Sequence, residues 1–299
     1  KRWQMTEIPF IPDYYSAVGL SHSSPSQVNM PNDVWLHNYI YKDATWRSNL
    51  IVSPNAKAGN AVEDGLNFYI RKGQDLPAAI KHAKKIFKEF SFLYSDNSNW
   101  KIIFDKCLED IPQCVTNAVS ALGSTNFFKD ELDSSTQDYC YHTLPGIEIM
   151  TEGKTDLLTK KYVVELKTKW RALTGKTLKD GSPGWKRSTM PKTAPIKEHL
   201  IQCAFYAKAT NREIICIYAA GFDDESYKVF TKNNCKQLTP LYLNLYLEQI
   251  RVIQQVRQNL LQISNNPKVL AKYIPPDFSH YRWNNLTEDE LEEASELWK

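Results

Sequence analysis

Asp156, Glu165 and Lys167 lie within one stretch, GKTDLLTKKYVVELKTK at positions 153–169. The run YVVELKT begins β-branched and apolar, which favours a strand, and side chains alternate faces along a strand. Val163, Glu165 and Lys167 therefore share one face, and Tyr162, Val164, Leu166 and Thr168 share the other. This holds an acid and an amine side by side near the end of an apolar strand. KTDLLT precedes it, and Lys160-Lys161 can make the turn of a hairpin that brings Asp156 near Glu165. Two carboxylates and a backbone carbonyl can hold Mg²⁺ and leave positions for water and a phosphate oxygen. A metal held in this way lowers the pKa of a bound water and offsets charge in a phosphorane-like transition state. Lys167 can orient that water, help deprotonate it, or stabilise the developing negative charge. The plain alternative is a surface hairpin with a Glu–Lys pair.

Several elements must surround such a hairpin. A helix is expected from about Ala56 to Lys72, where Gly59, Glu63, Leu66 and Ile70 follow helical spacing. Glu63 on this partly apolar stripe needs a partner, either a metal or a lysine. A second helix is expected at 195–210, with His199, Gln202 and Tyr206 on one face and Leu200, Cys203 and Ala204 free to pack on a sheet. REIICIYAAG then reads as an apolar strand and SYKVFT as its antiparallel neighbour. Before the hairpin, Asp33 can cap a helix through VWLHNYIYK. A basic amphipathic helix is expected at 75–94, and another helix at 99–122 with Pro112 as a kink or break. Further short strands are expected at about 137–142, 146–150 and 153–159. A long helix covers about 237–263, and Thr287 with Glu290 forms a capping box for a last helix. Residues 1–20, aromatic and Pro-rich, are expected to drape over the body.

The segment 170–195 is rich in Gly, Pro, Ser and Thr and carries Arg171, Lys176, Lys179, Lys186, Arg187 and Lys192 against one acid, Asp180. Its composition reads as a mobile loop. Bases interleaved with Trp170 and Trp185, next to Lys169, suit contact with a nucleic-acid strand. Charge is uneven elsewhere too. Residues 287–299 hold six acids and one lysine, so the rest of the chain is clearly basic although the whole carries only +3. That balance fits a phosphate-bearing partner. The six cysteines form no CxxC and no zinc-type cluster. Cys203 and Cys216 sit in apolar runs and read as buried thiols, and the set as a whole fits a reducing, cytoplasmic compartment of a bacterial or phage-infected cell. No apolar run approaches the roughly 20 residues of a membrane span.

In order, the chain offers a helix with Glu63, Asp156, Glu165-x-Lys167, a helix with Gln202-x-x-x-Tyr206 and an apolar strand. This order resembles the PD-(D/E)xK nuclease superfamily, in particular its RecB-like and lambda-exonuclease-like branches. SHSSPSQVNMPNDVWLHNYIYK also looks like the opening of RecB-like nuclease domains. The resemblance implies an α/β (α+β) fold with a central mixed sheet flanked by helices. It implies Asp156, Glu165 and the Leu166 carbonyl as metal ligands, with Lys167 as the catalytic lysine. Glu63 matches the helix-borne His or Glu that helps hold metal, and Gln202 and Tyr206 match a helix that lines the site and contacts substrate. Met30-Pro31 stand where some members carry a cysteine, so no iron–sulfur cluster is expected.

These readings converge on one nuclease domain over 1–299, with a mainly helical part at 1–123, a catalytic core at 124–235 and C-terminal helices at 236–299. The expected activity is DNA hydrolysis dependent on one or two Mg²⁺ or Mn²⁺ ions, most simply as an exonuclease on single- or double-stranded DNA. The rivals are an endonuclease with the same site and a non-catalytic nucleic-acid-binding module of the same fold. Oligomeric state stays open.

Overall fold

Contacts divide the chain into two units that are each discontinuous in sequence. One combines Lys1–Leu50, Cys140–Gly153 and Asn244–Lys299, the other Ile51–Tyr139 and Lys154–Leu243. The computed structural model describes residues 11–73, 75–95, 98–129, 132 and 138–299, with Lys72, Lys129 and Asn285 described by backbone alone. The expectation for residues 1–20 therefore falls partly outside the described residues.

Three helices open the second unit: α1 (Pro54–Lys72), α2 (Leu76–Lys88) and α3 (Ser98–Gly123). Asp75 caps α2 by accepting from Ala78 N–H at 2.8 Å. Pro112 lies inside α3 without ending it. Strands β1 (Tyr139–His142) and β2 (Thr151–Lys154) form a two-stranded sheet. The main sheet contains β3 (Leu157–Leu158) and β4 (Tyr162–Lys169), which pair antiparallel through Leu157–Val164 and Leu158–Val163. Thr159 N–H donates to Tyr162 O at 2.9 Å, so Lys160-Lys161 do make the turn. After β5 (Arg171–Thr177), β6 (Pro183–Arg187) and α4 (Lys197–Thr210), β7 (Glu213–Ala220) runs parallel to β4, and β8 (Tyr227–Phe230) pairs antiparallel with β7. The sheet, ordered β3-β4-β7-β8, is mixed, and the fold is α/β.

Two-residue alternation divides this sheet. Leu157, Val164, Leu166, Ile215, Ile217 and Ala219 join the buried cluster of α1–α3. The other face presents Glu165, Lys167 and Lys169 of β4 in register with Cys216, Tyr218 and Ala220 of β7. Helix α4 packs on that face, where Cys203 hydrogen-bonds Cys216. All six cysteines are buried and none is in a disulfide.

The segment 170–195 corrects the expectation of a mobile loop, because β5 and β6 form an antiparallel hairpin with pairs Arg171–Arg187, Ala172–Lys186, Leu173–Trp185 and Thr177–Pro183. Asp180-Gly181 is a turn signal: the Asp180 carboxylate accepts from Ser182 N–H at 2.9 Å and Gly181 has φ +81°. The hairpin is fastened at its base. Trp170 is buried and its carbonyl accepts from Ser188 N–H and Oγ–H, so its ring is no platform for a base. Arg171 pairs with the buried Asp110 of α3 and also donates to Phe222 O at 3.0 Å. Arg187 pairs with Asp223 at 2.8 Å. Breaking a buried pair leaves one charge uncompensated. Asp110→Ala is therefore expected to destabilise the protein by about 2–3 kcal/mol. Urea denaturation checks this, and a loss under about 0.5 kcal/mol would place the pair among surface contacts.

In the first unit, α5 (Pro240–Ile263) carries the buried Arg257. Its guanidinium donates to Gln27 O at 2.8 Å, Met30 O at 2.7 Å and Asn32 Oδ1 at 3.1 Å, and lies over the Trp35 ring. The opening motif is thus wrapped around one arginine. Asp33 does not cap a helix. It lies inside a short helical turn, Asn32–Trp35, and its Oδ2 accepts from Trp283 Nε1–H at 3.1 Å and Asp277 N–H at 2.8 Å. The strand expected at 146–150 is absent, since Gly146 adopts φ +75° and Ile147 N–H bonds back to Leu144 O at 3.0 Å. The capping box of Thr287 and Glu290 is present at the start of α6 (Glu288–Ser295).

Candidate active site

Close approach of α1 to β4 begins the site. A Cβ added at Gly59 would stand 2.9 Å from Thr168 Oγ1, so a side chain there would push the helix off the strand. One turn later comes Glu63, and one turn beyond it Asn67. The Asn67 amide donates to Glu63 O at 3.0 Å and reaches Asp156 O at 3.5 Å. This buried asparagine ties the helix to the backbone of Asp156. Sequence reasoning passed over it, although its place one turn after Glu63 was a usable signal.

Asp156 immediately precedes β3, and the β3–β4 register continued by one pair sets it opposite Glu165. Its Oδ2 accepts from Leu166 N–H at 2.6 Å. Glu165 is only 2% exposed. One oxygen, Oε1, is paired with the Lys167 ammonium. The other, Oε2, is buried and accepts no hydrogen bond from the described residues. Burial pushes the Asp156 carboxyl well above the usual carboxylate range, and the charges of Glu165 and Glu63 push it further, against the opposing pull of Lys167 and the Leu166 N–H. Burial alone would lower Lys167, but Glu165 and Asp156 outweigh it and the amine stays charged. Three acids and one ammonium thus influence each other here.

This arrangement suits a hard cation. A buried carboxylate oxygen without a donor is costly, and a cation is a partner that satisfies it. Among the described residues no three His, Cys, Asp and Glu side chains are grouped as a ready ligand set for a metal ion; the charge standing on Glu165 is that of Lys167.

Tyr206 is buried and packs edge-on against Phe205, while Gln202 is half-buried. Two α4 residues have electrostatic surroundings that include Lys167: Cys203, and His199, three residues before Gln202. Burial and the charges of Lys167 and Lys169 push the pKa of His199 down to about 3. Its Nδ1 is 2.5 Å from the Tyr218 hydroxyl. Shared helical spacing with Gln202 and Tyr206 placed His199 on the right face, but Tyr218 reaches it only through the fold.

No protein-family model and no curated protein matches this chain. Among solved structures, the chain is similar to a candidate exonuclease from Eubacterium rectale, at 14% identity and TM-score 0.44 over 81% of this chain and 85% of that one. It is also similar to a protein named SSO0001, at 14% identity and TM-score 0.29 over 71% of this chain and 81% of that one. At these scores neither neighbour bears on the site. Among the described residues no helix is long and apolar enough to cross a membrane.

Proposed function

We propose that the chain is a metal-dependent DNA nuclease, with Mg²⁺ or Mn²⁺ as the ion and exonucleolytic cleavage as its activity. The observation that carries this reading is the buried Glu165 carboxylate, one oxygen on Lys167 and the other without a donor, directly across from a desolvated Asp156. Asp156 and Glu165 would hold the ion with the Leu166 carbonyl, and Glu63 would complete the set from α1. When bound, a divalent ion supplies an activated water and neutralises charge on the phosphodiester. Lys167, kept charged by its acids, orients the attacking water and stabilises charge that develops at the phosphate. The Leu166 N–H holds the Asp156 carboxylate in one orientation, and Asn67 holds the backbone behind it. Gln202 and Tyr206 line the site from α4, and Lys169 with the bases of the β5–β6 hairpin contacts the DNA backbone.

The test uses purified protein, end-labelled single- and double-stranded DNA and closed circular DNA, with Mg²⁺, Mn²⁺ or EDTA. Metal-dependent shortening of linear DNA is expected. Cleavage of the circle would make the chain an endonuclease, and DNA binding without cleavage under any metal would make it a non-catalytic module. Within this reading Glu63→Gln raises the Mg²⁺ concentration needed for half-maximal thermal stabilisation by about 10–100-fold. Gln202→Ala and Tyr206→Phe, which position rather than ionise, leave that titration in place and slow cleavage by about tenfold or less. An unmoved Mg²⁺ titration for Glu63→Gln would return Glu63 to a structural role.

A further inference from the structure

Lys169 continues the strand face that carries Glu165 and Lys167, two residues beyond the latter. The two lysines differ in one respect. Lys167 has Glu165, whereas Lys169, among the described residues, makes no ion pair. It is half-buried, with its ammonium 5.5 Å from the centre of the Tyr218 ring. A partly desolvated cation without a carboxylate calls for an anion from outside the chain.

Tyr218 sets up a second donor beside it. Its ring is fully buried, and its oxygen accepts Ile196 N–H at 3.2 Å. Burial raises the phenol well above its usual range, so the hydroxyl keeps its proton, and because its oxygen already accepts from Ile196 we assign the O–H as donor to His199 Nδ1. The His199 proton is then on Nε2. That N–H has no hydrogen-bond partner among the described residues, and burial, helped by the two ammonium groups nearby, keeps the ring neutral.

We propose that Lys169 Nζ and His199 Nε2–H form a phosphate subsite beside the Asp156–Glu165–Lys167 cluster, with Tyr218 as the positioning residue that fixes the His199 tautomer. The inference rests on the nuclease reading for its ligand, which is the backbone phosphate next to the one cleaved. A charge-assisted phosphate contact is worth roughly tenfold in affinity.

The experiment reads binding, not cleavage, so its failure is separable from that of the nuclease reading. The full chain is titrated in EDTA with short DNA oligonucleotides that each carry one neutral methylphosphonate at a successive position, and anisotropy gives Kd. One position near the terminus is expected to weaken binding by about tenfold. Lys169→Met and His199→Leu each weaken binding of unmodified DNA and abolish the penalty at that one position. His199→Gln, which keeps a donor near Nε2, restores much of it. Tyr218→Phe weakens binding in the unaltered chain but adds nothing to His199→Leu, an outcome that general damage to the fold would not give. If the penalty persists undiminished in Lys169→Met and in His199→Leu, the subsite is overturned. Absence of cleavage with this pattern intact would remove the nuclease reading and leave the subsite, and absence of DNA binding would overturn both.

Discussion

Asp156→Asn, Glu165→Gln and Lys167→Met are each expected to lower metal-dependent cleavage by about a thousandfold or more, while their effects on folding diverge. Asp156→Asn keeps an oxygen for the Leu166 N–H bond and removes a charge that burial, Glu165 and Glu63 all oppose. Without metal, this variant melts at a higher temperature than the unaltered chain. Lys167→Met leaves the buried Glu165 uncompensated and melts lower, by about 3–5 kcal/mol in stability. A role confined to the fold would predict losses for both variants. The pH dependence follows the same sign. The folded-state pKa of Asp156 lies above its unfolded value, so folding is uncharged for this term below the unfolded pKa and loses stability as pH rises through the folded one. The metal-free protein therefore gains stability on mild acidification, and Asp156→Asn flattens that gain. Added Mg²⁺ raises the melting temperature of the unaltered chain at neutral pH, by about 2.7 kcal/mol in stability at a hundredfold excess over Kd. Thermal melts at two pH values with and without Mg²⁺ decide it: a drop for Asp156→Asn at neutral pH in EDTA would mean that the acid stabilises the fold.

The β3–β4 hairpin was legible because its signals are local: a β-branched run, a Lys-Lys turn and strict alternation of faces. The same holds for α1, whose apolar pattern follows the helical period, and for β7, a short continuous apolar run buried on both faces. The β5–β6 hairpin carried an equally local signal in Asp180-Gly181, but the Gly, Pro and Ser content around it outweighed that dipeptide in a compositional reading. Other features are settled by distant residues. Asp33 has the form of a cap, yet Trp283 recruits its carboxylate across 250 positions. The roles of Asn67 toward Asp156 and of Tyr218 toward His199 depend on pairings 89 and 19 positions apart. Gly146, at a left-handed φ, makes a turn that Ile147 N–H closes on Leu144 O, and this turn takes the place of a strand despite the apolar Ile147 and Ile149.

Neutralising the β5–β6 hairpin is expected to change the salt dependence of DNA binding, and the structure narrows which bases matter. Six bases stand in 170–195, but Arg171 is committed to Asp110 and Arg187 to Asp223. Lys176, Lys179, Lys186 and Lys192 are exposed and carry no ion pair among the described residues. The first three ride on an ordered hairpin whose base is held by Trp170 and Arg171, directly after the strand that carries Glu165 and Lys167. An ordered arm loses less conformational entropy on binding than a loop would. Removing one base that binds a phosphate flattens the slope of log K against log salt by about 0.7–0.9. The combined Lys176→Gln, Lys179→Gln and Lys186→Gln variant is therefore expected to lose roughly 2–3 units of slope and about a hundredfold in affinity at low salt. Arg187→Gln alone changes the slope by less than about half a unit, since its charge is already balanced by Asp223. Anisotropy titrations across a salt series, in EDTA to prevent cleavage, give both values. Equal slopes for the triple variant and the unaltered chain would mean that the hairpin lies off the path of the DNA, and a large drop from Arg187→Gln would mean that the Asp223 pair opens when DNA binds.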